Sequence, residues 1–80
     1  MLYLQKILKT KAKDVAQFET PEAMKTAIEY MKLRYTGTSY IGVFPQFEDE
    51  KGTRYRVVGG VQFADREVIC SPSEFSKLYA

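Results

Sequence analysis

SYIGVFPQF, residues 39–47, is the stretch on which the fold turns. Read as a β-strand, its two-residue alternation sends Ile41, Val43 and Phe47 to one side and Tyr40, Phe44 and Gln46 to the other. A strand with water on one face should be apolar on one side only. Here both sides carry large hydrophobic groups, so the second face needs a cover: the chain's own core, a second copy, or a partner.

Downstream, EDEKG (residues 48–52) has the acidic side chains and the glycine of a hairpin loop, and TRYRVV (residues 53–58) reads as the returning strand. Gly59 and Gly60 then allow a bulge or sharp bend before VQF (61–63), and ADRE turns the chain into VIC (68–70). Ser71-Pro72-Ser73-Glu74 has the pattern of a capping box, which predicts a short terminal helix with Phe75, Leu78 and Tyr79 on one side.

Upstream, Thr20 and Pro21 mark a helix start. The threonine hydroxyl can accept from a free amide of the first turn, and proline loses nothing at a position whose N–H has no partner. Met24, Ala27, Ile28, Met31 and Tyr35 recur at helical spacing, which predicts a helix over residues 21–34 with Gly37 as its stop. Residues 2–9, LYLQKILK, fit both the strand and the helix template. The turn-like KTKAKD that follows, and the second short run VAQF, favour a strand. The expectation is an α+β fold: a small antiparallel β-sheet of four to five strands packed against one main α-helix, with a short C-terminal helix, in the order β(β)αβββα.

Eighty residues make a single domain, 1–80, and the mix of 45% hydrophobic and 28% charged residues is that of a globular chain. A start at Met1 with no signal-peptide pattern and no long apolar run reads as a complete, non-membrane product kept in the cytoplasm, whose single cysteine fits a reducing compartment. The charge is +2 overall but uneven: residues 1–13 hold Lys6, Lys9, Lys11 and Lys13 with no acid. That run is either a footprint for an anionic partner or a solvated, lysine-rich edge.

Chemistry is conspicuous by omission. The chain has no histidine, hence neither the usual general base nor the usual zinc ligand, and no phosphate-loop or dinucleotide motif. Cys70 precedes a predicted helix start but ends a β-branched run, which reads as a buried strand residue. Glu48, Asp49 and Glu50 lack the spacing of a calcium loop. No catalytic residue, metal or cofactor is expected, and the chain is not expected to be an enzyme.

What remains is surface. Arg54 and Arg56 share one side of their strand, and with Tyr40 and Phe44 on that sheet face they would form an aromatic-and-arginine platform suited to a protein contact. The expected function is therefore a non-catalytic protein-binding module, a small regulator or inhibitor of the kind phages also encode. Its partner-binding residues are Tyr40, Phe44, Arg54 and Arg56, with Glu48, Asp49 and Glu50 as a second contact. The alternative is a nucleic-acid-binding accessory protein using Lys6, Lys9, Lys11 and Lys13 together with the arginine and aromatic face. A homodimer that buries the second sheet face is compatible with either.

Overall fold

The computed structural model describes residues 1–38, 44–63, 66–70 and Phe75. Among them the chain runs β1 (Leu2–Ile7), β2 (Ala12–Phe18), α1 (Pro21–Tyr30), β3 (Arg34–Thr38), β4 (Pro45–Glu48), β5 (Arg54–Phe63) and β6 (Arg66–Cys70). It is an α+β fold, one helix on an antiparallel sheet. The strands lie in the order β2-β1-β5-β4-β3, and β6 also pairs with β5. Gly59 faces Leu2 on one edge and Cys70 on the other, so β6 takes the β4 edge of β5 beyond the point where β4 ends. Of the expected C-terminal helix, only Phe75 lies within the described residues, as do none of the capping-box residues 71–74.

The strand reading of the first nine residues holds, and the core explains why. Leu4 of β1 stands opposite Val57 of β5, and Phe47 of β4 stands opposite Tyr55. These inward positions meet Met24 and Ile28 from the helix and Phe75 from the C-terminal segment, all almost fully buried except the half-buried Tyr55. The Phe47 ring sits tilted between Tyr35 and Phe75, with centroids 5.6 Å and 6.2 Å away. α1 lies over β1 and β2, and Phe75 packs on the same side of the sheet. Phe75 therefore thickens the helix-side core and does not cover the opposite face.

Three expectations are corrected. The helix stops at Tyr30, not Arg34. Thr20 caps its start as predicted, accepting from the Ala23 amide at 3.2 Å. At the other end Lys32 takes a left-handed φ of 58°, while the Lys32 and Leu33 amides donate back to the Glu29 and Ile28 carbonyls, both at 3.1 Å. This is a Schellman closure. It is stabilised by Leu33, which folds back onto the core that holds Ile28. Arg34 and Tyr35 consequently leave the helix and begin β3, so a strand appears where the expected order had none.

The second correction follows from the first. Gly37 is not a helix stop; it sits at the bulge of β3, with φ 119°, where Tyr35 pairs with Phe47 but Gly37 pairs with Gln46, leaving Thr36 over. β4 begins only at Pro45, whereas residues 39–47 were expected to form one strand, and Tyr40, Ile41 and Val43 lie outside the described residues. Third, Gly59 and Gly60 do not bend the chain. β5 continues through them because both edges are paired there, Gly60 donating to the Met1 carbonyl at 2.8 Å.

Two stability tests follow. Phe47→Ala should lower the unfolding free energy by about 3–5 kcal/mol, the range for truncating a buried ring, whereas Phe44→Ala on the other face should cost much less. Similar losses in urea denaturation would contradict the face assignment. Lys32→Gly should instead raise stability, by about 1 kcal/mol, because glycine adopts the left-handed backbone without the Cβ clash.

Candidate functional site

The sheet face opposite α1 follows from the same alternation. If Tyr55 and Val57 face the helix, then Arg54, Arg56 and Val58 face away. The register places Gln5 and Gln46 on either side of Arg56, Tyr3 beside Val58, and Glu48 beside both Arg34 and Arg54. Part of this face is covered from within the chain: Val58 is completely buried, and Gln5 is only 8% exposed.

Gln5 explains how a polar side chain is tolerated there. Its Nε2 donates to Asp14 Oδ1 at 2.7 Å, and its Oε1 accepts from Arg56 Nε at 2.8 Å. Burying an amide without partners costs roughly 1–3 kcal/mol, so both ends are matched. Arg56 is held on a second side as well, with its guanidinium carbon 5.2 Å from the centre of the Phe44 ring. The chain Asp14–Gln5–Arg56–Phe44 thus crosses β2, β1 and β5 to the residue just before β4, and fixes one arginine in place. Among the described residues, no acceptor meets the terminal nitrogens of Arg56.

This network was only half visible in the sequence. Phe44, Arg54 and Arg56 were expected on one surface, and the first and last do meet. Gln5 and Asp14 were missed. Asp14 reaches that face only because β2 carries a bulge: Leu4 pairs with Ala16 but Gln5 pairs with Asp14, so Val15 is left over and the alternation reverses. Val15 gives no local signal of this. Tyr40, the fourth expected contact, lies outside the described residues.

The acidic residues serve different masters. Glu48 lies 3.7 Å from the Arg34 guanidinium, a largely exposed pair of small energetic value. Asp49 organises the β4–β5 turn: its Oδ1 accepts from the Lys51 and Thr53 amides, both at 2.9 Å. Gly52 supplies the left-handed residue of that turn, at φ 86°. Glu50 is exposed. Met31, Lys32, Asp49, Glu50 and Lys51 line an open depression of about 280 Å³.

Asp49 has a further effect. Burial first, then the Asp49 charge and the hydrogen bond Asp49 accepts, hold the Tyr55 hydroxyl above its ordinary value of 10.0. All three favour the neutral phenol.

The lysines lie elsewhere. Lys6 stands opposite Tyr55 and opposite Lys13, which puts both lysines on the helix side of the sheet, away from the arginine face. Lys9 and Lys11 are exposed in the β1–β2 turn, which is closed by the Leu8 amide donating to the Lys11 carbonyl at 2.7 Å. Lys6 and Lys13 therefore lie on the opposite face of the sheet from Arg54 and Arg56.

No protein family, no curated protein and no solved structure matches this chain. Among the described residues, no helix is long and apolar enough to cross a membrane.

The Tyr55 site predicts an alkaline signature. A phenol held above its unfolded value contributes stability that is complete below about pH 10 and is lost as pH rises through the folded value. Tyr55→Phe should therefore flatten the fall of stability above pH 10 relative to wild type. Identical alkaline profiles for the two proteins in thermal melts would show that Tyr55 ionises freely.

Proposed function

We propose that this chain is a non-catalytic protein-binding module, a small regulator or inhibitor that acts by surface contact, with the sheet face opposite α1 as its contact surface. The supporting observation is the fixed Arg56, its Nε tied to Gln5 at 2.8 Å and its guanidinium carbon 5.2 Å from the centre of the Phe44 ring. Binding normally costs side-chain freedom, about 0.5–1.5 kcal/mol for each long side chain immobilised. An arginine already held on two sides has lost most of that freedom beforehand. Arginine and aromatic side chains also dominate the energetic centres of protein interfaces.

In this reading Phe44 and Arg56 form the anchor, Arg54 and Gln46 flank it, and Tyr40 extends it. Glu50, exposed in the neighbouring turn, supplies the second contact. In the same reading the protein works in the cytoplasm. A chain without histidine lacks the commonest proton-transfer group, which accords with a role in binding.

Affinity capture tests the proposal. The tagged protein, applied to a nuclease-treated lysate of its own cells, should retain one stoichiometric protein. Phe44→Ala should weaken that retention by about tenfold or more, the scale of a hot-spot residue, with little change in melting temperature. Retention that disappears with nuclease, or that ignores Phe44→Ala, would remove the reading.

A further inference from the structure

The lysines of residues 6–13 have no role in the protein-contact face, and their arrangement carries a cost. Lys6 and Lys13 are directly opposed across β1 and β2. Like charges in that position destabilise an antiparallel pair. The turn between them adds Lys9 and Lys11, both exposed. No residue before Asp14 is acidic, and Asp14 faces the other side of the sheet, where Gln5 holds its carboxylate. Among the described residues, none of the four lysines has an ion-pair partner.

The antiparallel register brings the acidic β4–β5 turn to the same end of the sheet, where α1 also ends with Glu29 in its last turn, Met31 and Lys32 sharing a depression with Asp49, Glu50 and Lys51. Lys6 lies beside Tyr55, so the β1–β2 turn neighbours the β4–β5 turn. That turn is net negative and attracts the hairpin end, but among the described residues it forms no ion pair with any of the four lysines. The Asp49 carboxylate accepts the Lys51 and Thr53 amides, and Glu48 pairs with Arg34. The β1–β2 hairpin end is a concentrated cation whose internal repulsion the fold leaves in place. Local rules are broken in this way mostly where a ligand repays the cost.

We propose that the β1–β2 hairpin end, through Lys6, Lys9, Lys11 and Lys13, binds the phosphate backbone of a nucleic acid duplex, independently of the protein-contact face. Lysine is a point charge on a long flexible stem, suited to a regular array of phosphates more than to one planar carboxylate. The exposed residues of the turn, Lys9, Thr10 and Lys11, offer no aromatic or large apolar group to insert into a lipid headgroup layer. The contact reads charge and not base sequence.

The test uses the purified chain and a short fluorescein-labelled DNA duplex of mixed sequence, followed by anisotropy over a series of salt concentrations. Each engaged lysine contributes about −0.9 to the slope of log K against log salt, so the wild type should show about −3 to −4. Lys9→Gln with Lys11→Gln, both in the exposed turn, should make the slope about 2 shallower. Lys13→Glu turns the repulsive pair into an attractive one, so it should raise the melting temperature while weakening duplex binding by about tenfold or more. Opposite signs for stability and binding are the signature of a cost kept for a ligand. No anisotropy change at the lowest salt, variants that bind like wild type, or uptake on anionic lipid vesicles without duplex binding would each overturn the proposal. None of these outcomes bears on the protein-contact face, which the experiment leaves intact.

Discussion

The alternation of β5 is the constraint on which the rest of this structure depends. Val57 is buried on one face and Val58 on the other, with Tyr55 packed against the core and Arg56 turned away from it. A slip of one residue against either neighbour would drive the Arg56 guanidinium under α1 and put Val57 on the polar side. β5 pairs with β4 over Arg54–Arg56 and with β1 over Tyr55–Gly59, so its phase sets that of β1 and β4, and through them β2 and β3. Strand phase then decides which side chains are core and which are surface.

Given that phase, a short chain uses its few large residues sparingly. Phe47, Phe75, Leu4, Met24, Ile28 and Val57 make one core under the helix. The opposite face has a different solution: Val58 is buried within the chain, and the Gln5 amide, matched at both ends, seals the sheet around Arg56. The opening question therefore has a divided answer. Phe47 belongs to the chain's own core, while Phe44 stays on the far side, half-buried and covered by an arginine. A polar network in place of a second hydrophobic layer leaves a firm surface with directional groups on it, which is what a contact surface requires.

The two charged ends of the molecule are distinct for the same reason. Lys6 and Lys13 share the helix side, and Arg54 and Arg56 share the other. Strand alternation separates them, since neighbours in sequence point to opposite faces. The basic residues accordingly support two proposals about two surfaces.

Residues 20–30 determined their own structure, because a cap, a proline and an apolar stripe are local signals that agree with one another. The β4–β5 hairpin did so too, through Gly52 and the acidic turn. Three features came only from tertiary structure. Helix α1 ends at Tyr30 because Leu33 gains more by folding back onto the core than Lys32 loses in a left-handed backbone, and nothing in a lysine announces this. Gly37 and the pair Gly59-Gly60 read alike as breaks, yet one serves a bulge and the other continues a strand; hydrogen-bonded neighbours decide which. The Asp14–Gln5–Arg56 chain needs a bulge at Val15 and a contact across 51 residues. Local chemistry sets what a segment prefers, but which faces meet depends on register, and register is settled only when the whole sheet closes over its core.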